Sequence, residues 1–418
     1  APVRAAGAGT VTNAYGFYSI TLPAGTYDLQ VSAIGMQTRT DTVRLERNTR
    51  LNVALAEATL GLEGVTVRAS RAGRSLVSPL MGVNTLSATD IRNVPALMGE
   101  RDVLKAIQLL PGIKSAGDGN SGFYVRGGSS DQNLILLDDA PVYNASHLLG
   151  FFSTFNADAV KNITVYKGDM PAQYGGRLSS VEDIRMNDGD NQDYHVSGGV
   201  GLISAKLNVE GPIQKGKSSF LVTARRTYAD LFLKLSPDST INNNKLYFYD
   251  LNAKMNYVLG DKDRLYFSGY FGRDVLGVQQ TFGLDWGNKT ATLRWNHLYS
   301  DKLFSNTSLI FSDYNYNISV ASGADDFHIF SQIKDWHLKE EFDWYLANNH
   351  QIRFGINSIY HVMRPGEVRP TSPGSDLNPD ILEKRFSWEN AAYVSDAWKV
   401  SSRLQVTYGL RVSAFSIL

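Results

Sequence analysis

The sequence predicts a mainly β protein with a small β-sandwich domain, an α/β domain and an incomplete transmembrane antiparallel β-barrel. In the second half of the 418 residues, apolar and polar side chains alternate with a period of two over long segments, as they do on the two faces of a strand. The 37 Gly, 21 Tyr and 19 Phe fit a β protein rich in turns and aromatic residues. No apolar run approaches the roughly 20 residues of a membrane helix, whereas a barrel strand needs only about 10.

Charge and cysteine content exclude several classes of function. The 41 basic and 41 acidic residues cancel, so no overall charge points to nucleic acid. Cysteine is absent, which removes disulfides, thiolate catalysis and cysteine metal sites.

Residues 1–58 predict a small antiparallel β-domain. Alternating segments at 16–23, 26–31, 42–45 and 51–55 predict its strands, and Ala24-Gly25 predicts a turn.

Residues 59–80 predict a linker, because Gly, Ala, Ser and Arg dominate with little periodicity. Inside it lies a short β-prone segment containing Glu63, Val65, Thr66 and Val67. Such a segment can add a strand to the sheet edge of a partner. It can equally close the first domain as an ordinary strand, and the residues leave both interpretations open.

Residues 81–190 mix helix and strand signals. Asp90 predicts the cap of a short helix, and residues 100–110 predict a second helix that ends at Pro111-Gly112. Residues 122–128, 133–139 and 163–168 predict strands.

Residues 191–418 predict about half of an outer-membrane barrel. We count roughly eleven strands from Tyr194 onward, the first two flanking residues 201–203. Tight turns at 214–217, 260–263, 299–302, 347–350 and 400–403 alternate with long loops at 231–244, 274–287, 320–326 and 364–384. Short turns at one end and long loops at the other are typical of outer-membrane barrels.

Four motifs between residues 125 and 177 carry a family resemblance. They are Val125-Arg126-Gly127-Gly128, Leu136-Leu137-Asp138-Asp139-Ala140-Pro141-Val142, Ile163-Thr164-Val165-Tyr166-Lys167-Gly168 and Tyr174-Gly175-Gly176-Arg177. In this order and spacing they resemble the plug domain of TonB-dependent receptors. Residues 13–18 and 22–27 resemble the carboxypeptidase-regulatory-like domain without its first strand, a pairing similar to receptors of Bacteroidetes. Glu182 departs from the family, which usually has an apolar residue at that strand position.

The resemblance implies a receptor in the bacterial outer membrane, in contact with outer-membrane lipids. It would import a siderophore, vitamin, glycan or peptide with proton-motive energy relayed by TonB and its inner-membrane complex. The N-terminal domain and linker would lie in the periplasm, and Glu63, Val65, Thr66 and Val67 would pair with TonB. Such barrels have about 22 strands, so we expect the chain to be an N-terminal half.

The resemblance also implies contacts between plug and barrel. Arg126, Gly127 and Arg177 are the candidates, because charged plug groups of this family meet barrel carboxylates. Unpaired buried charges are costly, so both arginines should have partners.

The sequence also leaves one alternative to import. A surface-assembly or adhesion barrel with a periplasmic docking domain is the alternative, and a SusD-like surface lipoprotein partner is left open. We find no zinc-binding helix, no Gly-x-Ser-x-Gly elbow and no calcium loop after Asp138-Asp139. We therefore expect no enzyme, no cofactor, no metal and no nucleic-acid partner, and the sequence does not specify the ligand.

Overall fold

The computed structural model describes residues 1–418 except 6–7, 34–35, 57–81, 97–98, 118–119, 280, 322–325, 372–381 and 402–403. The fold class is the predicted one: two β-containing domains are followed by a large antiparallel sheet.

The N-terminal domain is a four-stranded antiparallel sheet in the order β2-β1-β3-β4. Its strands are β1 (Pro2–Ala5), β2 (Ala8–Val11), β3 (Gly25–Val31) and β4 (Arg39–Leu45). The strands predicted at 16–23 and 51–55 are wrong. Both segments instead lie against the sheet, with Tyr18 and Val53 among the side chains packed on the buried Val3 and Val31. Their alternation reflects one apolar side in contact with a core.

The central domain contains a five-stranded sheet in the order β5-β12-β13-β8-β9, in which only β13 and β8 run parallel. Two further two-stranded sheets, β6-β7 and β10-β11, belong to the same domain. The strands of the whole domain are β5 (Val83–Ser87), β6 (Ile113–Ser115), β7 (Phe123–Val125), β8 (Asn133–Leu137), β9 (Ala140–Pro141), β10 (Ser146–His147), β11 (Phe152–Ser153), β12 (Val160–Tyr166) and β13 (Ser180–Met186). Its helices are α1 (Ala88–Arg92), α2 (Val103–Gln108) and 3-10 turns at Ser130–Gln132 and Leu148–Gly150.

Both short helices are capped by side chains. Ser87, rather than the predicted Asp90, caps α1, and Asp90 completes a capping box from the third position of the helix. Asp102 caps α2 by accepting from the Lys105 amide. Val103, Leu104 and Ile107 on α2 then pack into the core of the domain.

Eleven strands follow in one antiparallel sheet, in sequence order from β14 to β24. They are β14 (His195–Val200), β15 (Ser204–Gln214), β16 (Ser218–Thr227), β17 (Lys245–Val258), β18 (Asp263–Val278), β19 (Phe282–Leu298), β20 (Leu303–Val320), β21 (Phe327–Ala347), β22 (His350–Pro370), β23 (Arg385–Lys399) and β24 (Gln405–Ile417). Helices α3 (Ala229–Lys234) and α4 (Ser239–Asn242) lie in the predicted loop after β16. The strand number is as predicted, and so are the positions of the short turns that lie entirely within the described residues.

The loop predicted at 274–287 is wrong. Strands β18 and β19 continue through most of it and pair from Val278 with Phe282 to Asp263 with His297. The polar residues that suggested a loop include Asp274, which is buried on the inner face of the sheet. The loop predicted at 364–384 is also shorter, because β22 continues to Pro370.

The two faces of the large sheet differ in chemistry. On β19, Leu293 and Trp295 are exposed on one face, and Arg294 between them is buried against the central domain. The central domain thus covers the polar inner face, and apolar side chains cover much of the outer one. Within the described residues, no helix has the length and apolar character needed to cross a membrane.

Candidate functional site at the contact between the central domain and the large sheet

The sharp turn between β8 and β9 brings two adjacent carboxylates of the central domain to the large sheet. Asp138 and Asp139 both have positive φ, 47° and 73°, a backbone conformation that Asp tolerates better than most residues. Both side chains are buried. The strand predicted at 133–139 therefore ends two residues earlier, at Leu137, and the electrostatic partners of the turn were not expected.

Asp139 lies among three cations. Arg185 of β13 binds it with two hydrogen bonds of 3.0 Å each, in the bidentate geometry of the strongest charged pairs. Arg294 of β19 approaches to 2.5 Å and Lys339 of β21 to 3.4 Å. Burial alone would raise the pKa of Asp139, but these three cations hold it well below its usual range.

Asp138 is bound in a similar way. Its carboxylate lies 3.1 Å from Lys254 Nζ of β17 and accepts from the Met186 amide at 3.2 Å. Lys254 also lies 3.0 Å from Asp188. Burial opposes ionisation of Asp188, but Lys254 and Lys161 lower its pKa.

These groups form what we call the Asp139 cluster, in which four carboxylates face four cations. Its members are Asp138, Asp139, Asp183, Asp188, Arg185, Lys254, Arg294 and Lys339. Because the charges balance and each has a partner, their burial is compensated. Removal of one member of such a pair typically costs about 3–5 kcal/mol.

A second group, the His147 cluster, consists of Glu100, His147, Arg225, Asp250 and Asp274. His147 of the central domain lies between two carboxylates of the large sheet, with Nδ1 2.6 Å from Asp274 and Nε2 3.3 Å from Asp250. Burial alone would lower the pKa of His147, but Asp274 and Asp250 raise it. Both carboxylates therefore favour the charged imidazolium.

Asp250 also forms an ion pair with an arginine of the large sheet. Arg225 of β16 lies 2.7 Å from Asp250 and 3.5 Å from Glu100 of the central domain, and it donates to the Ser153 carbonyl at 2.9 Å. His147 also stacks on Phe248 with ring centroids 4.0 Å apart. Both clusters thus join side chains of the central domain to inward-facing side chains of the large sheet.

Comparison with known families identifies the two N-terminal units. The model described as TonB-dependent Receptor Plug Domain matches residues 75–180, and the CarboxypepD_reg-like domain matches residues 3–67. Residues 75–180 are a TonB-dependent receptor plug domain. The large sheet that the plug contacts is accordingly described below as the barrel wall.

Several known proteins resemble this chain in sequence or in fold. The ferrienterobactin receptor of Escherichia coli is 28% identical over 30% of this chain and 19% of its own length. Among solved structures, the siderophore receptor PirA of Acinetobacter baumannii superposes with a TM-score of 0.59 at 15% identity, covering 81% of this chain and 57% of that one.

Two further solved structures superpose on this chain to a similar extent. The ferric yersiniabactin uptake receptor FyuA of Yersinia pestis gives a TM-score of 0.58 at 15% identity, over 80% of this chain and 56% of that one. The outer membrane transporter YddB of Escherichia coli gives 0.57 at 14% identity over the same shares, 80% and 56%. The chain thus spans less than two thirds of the length of each of these relatives.

The structure places two of the predicted contact residues away from the barrel wall. Arg126, at φ 48°, is exposed, and its guanidinium lies beside Gly82 and Gly168 of the plug itself. Gly127 is exposed in the same turn, with φ 84°. Their role as contacts with the barrel stays a prediction.

Arg177 does lie at the boundary between plug and wall. It lines a cavity of about 90 Å³ together with Asp335, His361 and Glu389 of the wall. Its guanidinium donates to the neighbouring Gly176 carbonyl at 2.9 Å. Arg177 therefore faces wall carboxylates without binding them directly.

The candidates for TonB coupling, Glu63, Val65, Thr66 and Val67, lie outside the described residues. The CarboxypepD_reg-like match ends at residue 67 and includes all four of them.

Sequence reasoning missed the residues that join plug and wall. Arg185, Lys254, Arg294 and His147 carry no motif, and their pairing depends on elements far apart in the chain. A usable signal was present on β21, where Lys339, Glu341 and Asp343 alternate with outward residues and all three are buried. Charged residues at every second position of a long barrel strand indicate the face that lines the polar lumen. Among the described residues, no group of three or more His, Asp or Glu could hold a metal ion.

Proposed function

We propose that this chain is the plug-bearing part of an outer-membrane receptor that imports a ligand with energy relayed by TonB. The observation that carries the proposal is the plug itself, which covers the inner face of the wall and is tied to it by two buried charged clusters. An occupied lumen offers no open path for a solute of appreciable size.

The clusters indicate why transport needs external energy. Taking away one partner of a buried ion pair while the other charge stays buried typically costs about 3–5 kcal/mol, and both clusters contain several such pairs. The outer membrane holds no ATP, so the energy has to arrive through a protein that spans the periplasm. TonB, driven by its inner-membrane complex, is the partner that the plug family implies.

The relatives suggest a class of ligand to test first. One is named as a receptor for ferrienterobactin, another as a siderophore receptor and a third as a ferric yersiniabactin receptor. A ferric siderophore is therefore the first ligand class to try, ahead of vitamins, glycans and peptides. An enzymatic role has no support among these relatives, which are receptors and transporters.

The experiment compares ligand binding and uptake in cells with and without TonB, with the full-length protein expressed and a panel of radiolabelled ferric siderophores supplied. We expect deletion of TonB to abolish uptake and to leave surface binding intact. Uptake that continues without TonB would overturn the energy-coupling proposal.

A surface-assembly or adhesion scaffold is the alternative function. The feature that favours it is the docking of the N-terminal domain on the short turns of the wall, described below. A scaffold would keep its activity with the plug covalently fixed to the wall, whereas an importer would lose uptake.

A further inference from the structure

The loop between β2 and β3 of the N-terminal domain reaches inside the barrel wall. Tyr15 at its tip stacks on Phe304 of β20 with ring centroids 5.6 Å apart. The Asn306 side chain donates to the Tyr15 hydroxyl at 2.8 Å. The Arg294 guanidinium lies over the same ring, 5.2 Å from its centroid.

The same ring also touches the plug. The Arg185 guanidinium lies 5.9 Å from the Tyr15 centroid. Arg185 and Arg294 are two of the three cations that bind Asp139, one from the plug and one from the wall. Tyr15 therefore covers the junction at which the plug is tied to the wall.

Neighbouring side chains of this loop make specific contacts with the wall. Phe17 stacks on Phe304 at 5.5 Å and meets the edge of Tyr345 at 5.4 Å. Asn13 donates to Asp343 at 3.0 Å, a wall carboxylate that is itself buried. Aromatic pairs of this kind contribute about 0.5–1.5 kcal/mol each beyond their buried area.

The rest of the domain lies across three short turns of the wall. The Thr21 amide donates to Asn348 at 2.8 Å. Arg50 donates to the Asp261 carbonyl at 2.7 Å, and Asn48 donates to Asp301 at 3.4 Å. These contacts place the domain at the end of the wall that carries the short turns, on that side of the plug.

We propose that the N-terminal domain is a latch that holds the plug closed from the short-turn side. Its Tyr15 loop stabilises the closed arrangement of Arg185 and Arg294, so the domain has to swing away before the plug can move. The inference rests on the proposed function, because a latch has a role only if the plug moves during import. It adds a second element, besides the plug, that the transport cycle has to displace.

The first test measures KCl conductance of the purified full-length protein in planar bilayers, at a urea concentration that leaves the wild-type plug mostly closed. Tyr15→Ala removes one aromatic stack and two cation contacts, so openings should become about tenfold more frequent. Tyr15→Phe keeps the ring and should stay close to wild type. The control is Arg44→Ala, because Arg44 is exposed on β4 and pairs with Glu46 of its own domain.

Equal opening frequencies in wild type and Tyr15→Ala would overturn the latch. An equal rise in Arg44→Ala would overturn it too, because the effect would then not depend on the contacts of Tyr15.

The second test locks the domain in place and does not depend on any destabilised variant. The 418 residues contain no cysteine, so Thr21→Cys with Asn348→Cys introduces one defined pair across the contact. Oxidation should form the cross-link and reduce urea-induced openings, and reductant should restore them. Asp28→Cys with Thr42→Cys, which joins partners on β3 and β4, is the control and should leave openings unchanged.

Failure to cross-link, or a cross-link with no effect on opening, would reject the latch. Neither test involves TonB or a ligand. The latch can therefore fail while TonB-dependent uptake stands, and the reverse outcome is equally separable.

Discussion

At the scale of single residues, the buried charges of this molecule are almost all balanced by partners. Glu182 is one exception among the described residues. It is fully buried in β13, its Oε1 accepts from Ser180 at 2.5 Å, and its other carboxylate oxygen has no hydrogen-bond partner. Burial raises the pKa of Glu182 to about 8. The acid that departs from the family pattern is thus a protonated, partly unsatisfied group in the plug.

Glu182→Gln should stabilise the plug and remove a pH dependence. An acid with a raised folded-state pKa favours folding below its unfolded pKa near 4.5 and loses that contribution as pH rises towards about 8. At pH 7.5 the variant should gain on the order of 3 kcal/mol in opening free energy. Hydrogen exchange of β12 and β13, corrected for intrinsic rates, measures this, and Asp131→Asn is the exposed control. A wild-type opening free energy that stays constant from pH 5 to 8 would contradict the assignment.

Because of His147, the contact between the plug and the wall should be less stable at alkaline pH. Its folded-state pKa is raised by Asp274 and Asp250, with Arg225 and Glu100 facing the same cluster. The stabilisation is therefore complete below about pH 6.5 and is lost as pH rises through the higher folded-state value. Hydrogen exchange of residues 146–153 should show protection that falls between pH 6 and pH 9.

His147→Gln should flatten that dependence, while His195→Gln, at an exposed histidine of β14, should leave it unchanged. Protection in the wild type that is equal at both pH values would refute the role of His147.

At the scale of elements, the sequence predicts what is local. The eleven strands of the wall and their short turns follow from alternation and turn residues, both readable within ten or fifteen positions. At 51–55 the alternation wrongly predicted a strand, because this segment packs on a core without pairing with the sheet. The loop predicted at 274–287 failed for a related reason, because polar residues are normal on a strand face that meets a plug.

The candidate site was predictable only in outline. Asp138 and Asp139 belong to a motif that is visible in the sequence, but the partners of Asp139, Arg294 and Lys339, lie 155 and 200 residues away. Their meeting depends on wall register and on the position of the plug, and no local pattern encodes either one. Arg126, a motif residue, lies beside Gly82 and Gly168 of the plug, and its predicted contact with the barrel stays a prediction.

Asp139→Asn should loosen the plug more than any exposed substitution. It leaves Arg185, Arg294 and Lys339 buried around a neutral amide, which should lower the free energy of plug opening by about 3–5 kcal/mol. A single Ser121→Cys, fully buried in the plug, reports opening through its rate of maleimide labelling in urea.

Asp131→Asn is again the exposed control. Addition of Arg294→Met to Asp139→Asn should cost less than the sum of the two single changes, because they belong to one cluster. Strict additivity, or a labelling rate unaffected by Asp139→Asn, would show that the cluster does not anchor the plug.

At the scale of the whole molecule, three units meet at one place. The wall supplies Arg294 and Lys339, the plug supplies Asp139 and Arg185, and the N-terminal domain covers them with Tyr15. A movement of any one unit disturbs contacts of the other two. Under the proposed function, opening the lumen would therefore require concerted release of the three units.

The most direct test of this account fixes the plug to the wall in the full-length protein. Asp158 of the plug and Asn208 of β15 are 3.2 Å apart at their side chains, so Asp158→Cys with Asn208→Cys gives a reversible lock. Ser358→Cys with Asn390→Cys, on paired strands of the wall, is the matched control. We predict that the oxidised lock stops uptake of the bound ferric siderophore, that reductant restores it, and that the control pair has no effect. Uptake that proceeds at the wild-type rate with the plug cross-linked would contradict the account.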